Sequence, residues 1–238
     1  NYNDIDFFIK HSLEPNFIPP EKGYFISIQS WGYWSIPEYQ LRFLNQNADI
    51  IWATSSYVKE SLIHSGINNE IIEVINIGVN SSEHYSDIAP FSLKTNKAFK
   101  FFYSANLGVK SAVNLLIQAY CEEFSASDDV CLIIRNRDVD DLIRTQRTTL
   151  FNDFDLSINK KIKDIIKNLL IIKNCPEIIF IDEFLFQDNQ AEIMSLYKSS
   201  DCFVYPYYIE SIGKYLLEAM SFGLPVITND KGTALDFC

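Results

Sequence analysis

The sequence predicts an α/β protein of two doubly wound domains, each a parallel sheet covered on both faces. Three observations carry this. Short β-branched or aromatic runs alternate with helical segments along the chain. The runs are continuously apolar, as expected of strands buried on both faces. A polar stretch without periodicity, residues 80–98, divides the runs into two sets. The expected domains are residues 1–88 and 99–238, joined by a linker at 89–98.

In chain order, the first strands are read at "DFFIK" (6–10), "YFISIQ" (24–29), "DIIWAT" (49–54) and "IIEVINIGV" (71–79). A helix follows the third, from an N-cap at Ser55 or Ser56 to the terminating Gly66. The second set comprises "KFFYSA" (100–105), "VCLIIR" (130–135), "EIIFID" (177–182), "CFVYP" (202–206) and "LPVIT" (224–228). Between the first two of these, Val113, Leu116, Ile117, Tyr120 and Phe124 recur at helical spacing. Ile158, Ile162, Ile165, Ile166 and Leu169 do so further on, and "KYLLEAMSF" supplies a last helix.

A chain of 238 residues with 47% hydrophobic content can bury a sizeable core, which excludes a disordered class. The net charge of −11 argues against a nucleic-acid partner, since phosphate-backbone binding draws on surplus Lys and Arg. It leaves room for a small anionic ligand held by a helix terminus and one lysine. Five cysteines without a CxxC pair, and no secretory leader in "NYNDIDFFIKHS", point to reduced thiols and a cytoplasmic setting. His11, His64 and His84 have no metal-ligand spacing, so neither a metal nor a cofactor is expected. No strand is followed by GxGxxG, which weighs against a dinucleotide oxidoreductase.

The stretch "YYIESIGKYLLEAMSFGLPVI" holds Glu210 and Glu218, eight positions apart across a helix start. Gly213 permits close backbone approach, and the first-turn N–H groups point at the same space. A diphosphate there would meet oriented amides, the positive helix end and the Lys214 or Lys110 ammonium. Carboxylates at the rim would accept hydrogen bonds from sugar hydroxyls. The plainer reading is that Glu near a helix start is favoured by the dipole, and that Glu218 and Lys214 are solvated.

The stretch "ESIGKYLLEAMSFGLPVI", with Glu210 and Glu218 separated by seven residues and followed by Ala-Met-Ser-Phe-Gly-Leu-Pro-Val-Ile, resembles the signature of the retaining GT-B glycosyltransferases of family four, the glycosyl transferases group 1. "ANLGVKSAVNLLIQAYCEEF" is similar to that family's donor-phosphate strand–loop–helix, with Lys110 at the lysine position. Ala105, Asn106 and Val109 stand where an arginine is usual, Ser111 replaces a glycine, and Ser211-Ile212-Gly213 keeps one glycine of Gly-Phe-Gly. "KHSLEPNFIPP", "SIQSWGYWSIP" and "ADIIWATSSYVKESLIHSGI" resemble the acceptor-side domain. The family's usual length implies a chain truncated at both ends, so that both Rossmann-like domains are incomplete.

The resemblance implies sugar transfer from a nucleotide diphosphate sugar to a glycan, lipid-linked or protein acceptor, with retention and without a metal. Glu210 would hold the donor sugar and Glu218 the ribose. Ser211, Ile212, Gly213 and Lys214, with Asn106 and Lys110, would hold the phosphates, and Phe184 and Leu185 would meet the base. On the acceptor side, His11 and Gln29 are candidate catalytic residues at strand ends and Trp31 a candidate stacking platform, each with a packing role as the alternative. The lysines of 157–174 read as a solvated face, with peripheral contact to an anionic membrane as the alternative. A domain that binds nucleotide sugar without catalysis, or a fragment of a larger transferase, is the second function class.

Overall fold

A computed structural model of the protein describes residues 6–11, 18–19, 22–80, 87–105, 112–136, 174–182 and 190–238. The chain forms two compact units. The first comprises residues 1–79, 209–214 and 230–238; the second comprises 80–208 and 215–229. The sequence reading placed all of 99–238 in the second domain, whereas 209–214 and 230–238 group with the first unit.

The first unit is a four-stranded parallel sheet in the order β1 (Phe7–His11), β2 (Tyr24–Gln29), β3 (Ile50–Ala53), β4 (Ile72–Val74). Helix α1 (Glu38–Asn47) links β2 to β3, and α2 (Ser56–His64) links β3 to β4. Leu44 of α1, Val58 and Leu62 of α2, Ile51 and Ala53 of β3, and Ile72 of β4 share one buried cluster. Ile51 and Ala53 face the same side of β3 because strand side chains alternate. The α2 N-cap is Ser55, whose side chain accepts from the Val58 N–H at 3.2 Å. Just past the helix, Gly66 adopts φ 104°, a left-handed conformation that glycine enters at no steric cost.

The second unit is a five-stranded parallel sheet in the order β7-β6-β5-β8-β9. Its strands are β5 (Phe99–Ala105), β6 (Val130–Asn136), β7 (Glu177–Asp182), β8 (Cys202–Tyr205) and β9 (Val226–Thr228). The chain winds outward from β5 through β7 and then returns to the other side of β5. That reversal creates a switch point between β5 and β8, where ligands of open α/β sheets bind beyond the strand carboxyl ends.

Helix α3 (Val113–Glu123) covers one face of this sheet, with Val113, Ile117 and Tyr120 packed on Tyr103, Leu132 and Ile134. On the alternate face, Tyr197 of α4 (Gln190–Lys198) meets Phe102 and Phe203, with ring centroids 5.3 and 5.5 Å apart. Helix α5 (Lys214–Ser221) precedes β9 and buries Leu216, Glu218 and Ala219.

Every strand expected from the sequence is present. Helices α1 and α4 were not foreseen. The lysine-rich helix expected at 157–174 lies outside the described residues.

Candidate active site

Loop Ile209–Lys214 belongs to the first unit and lies at the carboxyl ends of its strands. The Thr54 hydroxyl, just past β3, donates to the Ser211 carbonyl at 3.1 Å. Thr233 donates to the Glu210 carbonyl at 2.8 Å and stands 3.3 Å from the Ser55 hydroxyl. Gly32, just past β2, lies so close that a Cβ there would sit 3.2 Å from Ile209 Cγ2 and 3.6 Å from the Ser211 nitrogen. The loop is thus seated by residues that follow β2 and β3 and by the final residues of the chain.

The Glu210 carboxylate turns back on its own loop. Its Oε1 accepts from the Ser211 N–H at 2.8 Å and the Ile212 N–H at 3.0 Å. The sequence reading gave these amides to a donor phosphate. In this structure they hold an anion, and that anion is Glu210. Charge-assisted bonds of this kind are the strong ones, so the two amides form a ready acceptor-binding fork.

Gly213 is buried at φ 71°, and a Cβ there would meet the Phe237 ring at 3.2 Å and Thr233 Cγ2 at 3.6 Å. The glycine is required both by the backbone conformation and by the approach of Phe237. Lys214 opens α5 and is exposed.

A carboxylate also fixes the end of the chain to α2. Asp236 Oδ2 accepts from the Ser56 N–H and from Asn76 Nδ2, both at 2.8 Å. Anions are stabilising at a helix N-terminus, where the first amides lack partners. Asp236→Ala is expected to lower the stability of the first unit by about 1 kcal/mol. Hydrogen exchange of the α2 amides checks this, and unchanged protection in the variant contradicts the role.

His11 ends β1 exposed, with Nε2 3.3 Å from the Ser30 hydroxyl. Gln29 ends β2 buried, and its side-chain amide donates to Ser27 Oγ at 2.8 Å. Trp31 packs partly buried against the core cluster, and its indole N–H donates to the Ser35 carbonyl at 2.7 Å. Of the three acceptor-side candidates, His11 alone presents its side chain openly. The polar atoms that Gln29 and Trp31 donate with are occupied within the fold.

In the second unit, Glu218 is buried on α5, and its Oε2 accepts from the Tyr197 hydroxyl of α4 at 3.1 Å. Tyr197 is fully buried and also reaches the Tyr215 carbonyl at 3.4 Å. Glu218 is therefore held in place rather than solvated. Sequence reading missed Tyr197 because no helix was read at 190–198.

It also passed over Arg135 within the apolar run "VCLIIR". This arginine is fully buried near the carboxyl end of β6 and donates to Ser104 of β5 at 3.0 Å. Asn106, Lys110, Phe184 and Leu185 lie outside the described residues. Among the described residues, no group of three or more His, Cys, Asp or Glu could hold a metal ion.

The loop that carries Glu210 runs directly into α5, which carries the fixed Glu218. The family model described as "Glycosyl transferases group 1" matches residues 86–237, most of the chain and all of this segment, and the chain belongs to that family. No curated protein matches it.

Solved structures share its fold, which is of the GT-B type. Anabaena Alr3699/HepE, in complex with UDP and glucose, is 18% identical over 91% of this chain and 55% of that one, with TM-score 0.65. S. aureus TarM is 13% identical over 91% and 39%, with TM-score 0.61. The pneumococcal O-GlcNAc transferase GtfA, in complex with UDP and GlcNAc, is 15% identical over 88% and 38%, with TM-score 0.54. The chain spans about half, or less, of the length of these structures.

Proposed function

We propose that this chain forms the donor-binding part of a retaining, family-four glycosyltransferase that takes a sugar from a nucleotide diphosphate sugar. The observation that carries the reading is the loop–helix Glu210–Glu218 within the family-matched region, with Glu210 on paired amides and Glu218 fixed by Tyr197. UDP is the proposed nucleotide, because UDP is named in the complexes of two of the similar structures.

On this reading Glu218 receives the ribose hydroxyls. The Ser211 and Ile212 amides pass from Glu210 to the donor phosphate as Glu210 swings toward the sugar. Gly213, Lys214 and, by resemblance, Asn106 and Lys110 add to the phosphate site. Phe184 and Leu185 meet the base. Oriented amides and a lysine supply stabilisation of the leaving diphosphate without a metal. His11 is the acceptor-side group best placed to touch a substrate. The acceptor is a glycan, a lipid-linked sugar or a protein, and peripheral contact with a membrane is proposed only for a lipid-linked one. No helix among the described residues is long and apolar enough to cross a membrane.

A second reading is favoured by Ala105, Asn106 and Val109 standing where the family has an arginine. It makes the chain a nucleotide-sugar-binding domain without its own transfer activity. Without a forked guanidinium, less charge faces the leaving diphosphate. Calorimetric titration with UDP, GDP, ADP and CMP, then with UDP-sugars and an acceptor screen, separates the readings. Saturable UDP binding with transfer supports the first, binding without transfer supports the second, and no binding to any nucleotide overturns both.

A further inference from the structure

The second unit carries a sulfur cluster that the nucleotide-sugar reading does not use. Cys121 in the last turn of α3 and Cys175 in the turn before β7 bring their sulfurs to 3.6 Å, in direct contact. Both are half-buried, whereas Cys131 and Cys202 are buried in strands and Cys238 is exposed. Tyr120, next to Cys121, donates to the Glu177 carbonyl at 3.1 Å, and its ring packs tilted against Phe124 with centroids 5.3 Å apart. Cys131 lies opposite Glu177 in the β6–β7 register.

We propose that Cys121 and Cys175 are a redox modification site that closes to a disulfide, fastening α3 to the start of β7. A disulfide needs its sulfurs about 2.05 Å apart, so rotation of the two side chains has roughly 1.5 Å to close. The two cysteines are 54 positions apart, so the link closes a long loop. It sits at the amino-terminal pole of the sheet, away from the strand carboxyl ends.

The oxidant is a small disulfide such as oxidised glutathione. One protein thiolate attacks a glutathione sulfur and expels a glutathione thiolate, which takes up the proton. The second protein thiolate then attacks the mixed disulfide and expels the other glutathione. Two protein thiols are oxidised and one disulfide is reduced to two thiols.

Burial, together with the Cys175 contact, pushes the Cys121 thiol up to about 12. Tyr120, whose hydroxyl is raised chiefly by burial, interacts with both cysteines and also with Glu177 and with Cys131, itself pushed up to about 12 by burial. The Cys121 thiolate is therefore scarce at neutral pH and becomes more available as pH rises.

The test treats the full chain carrying Cys238→Ser with oxidised glutathione, then counts thiols after denaturation and maps the linked peptides. The expected result is loss of two of the four remaining thiols and a Cys121–Cys175 peptide. The rate should rise as pH rises from roughly 7 to 9, as the thiolate is the attacking species. Adding Cys121→Ser must abolish the intramolecular link. Four thiols surviving, glutathione adducts alone, or a link through Cys131 overturns the proposal.

Discussion

Glu218→Gln raises the dissociation constant for UDP about 5- to 12-fold while leaving the fold intact. The amide keeps the volume of the buried side chain and still accepts from the Tyr197 hydroxyl, which now stands 3.1 Å from Oε2. What is lost is the charge. A hydrogen bond to a charged group contributes about 1.5–3 kcal/mol and a neutral one about 0.5–1.5, so the loss is about 1–1.5 kcal/mol, which converts to the stated range.

Tyr197→Phe serves as the companion variant. It removes the hydroxyl that fixes Glu218 but leaves the carboxylate, so affinity falls by only a few-fold and the larger effect is on stability. Calorimetry with UDP, beside thermal unfolding of each variant, separates a ligand-facing carboxylate from one that merely ties α4 to α5. Equal UDP affinity in wild type and Glu218→Gln leaves only the tie.

Gly213→Val destabilises the first unit by about 3 kcal/mol and abolishes donor binding. A β-branched residue held at φ 71° costs of order 1–3 kcal/mol in backbone strain. Its Cβ must also displace the Phe237 ring, 3.2 Å away, from a site already packed by Thr233. Forcing extra volume into such a contact costs about 1–3 kcal/mol more. Gly213→Ala carries the same two penalties in smaller measure. The chain has two compact units, so a single unfolding free energy is ill-defined. Hydrogen exchange at 209–214 and 232–237 is the appropriate measurement. Unchanged protection in Gly213→Val, with wild-type UDP affinity, contradicts the role given to this glycine.

The strands were legible because buried parallel strands are written as unbroken apolar runs, and "YFISIQ" or "EIIFID" can be little else. Helix α2 was legible through its ends, Ser55 and Gly66. Helix α1 was not, because only Gln40 and Leu44 of its ten residues are buried, too few to print a period. Helix α4 is short, and its one serine, Ser195, bonds back to the Glu192 carbonyl.

The site was legible in part. Its spacing of glutamates and glycine lies in one continuous stretch. Its supports do not. Thr54 meets Ser211 across 157 positions, and Tyr197 meets Glu218 from a helix the pattern did not show. No local signal records such partners. The same holds for the grouping of 209–214 with the first unit, which rests on Thr54, Gly32 and Thr233 rather than on periodicity.

The loop–helix 209–218 is proposed to receive a nucleotide diphosphate sugar. Hydrogen exchange of the full chain with and without UDP-glucose tests it most directly. The account predicts that UDP-glucose slows exchange of the Ser211 and Ile212 amides and of the first turn of α5. Saturating UDP-glucose that protects amides elsewhere and leaves 209–218 unchanged would contradict it.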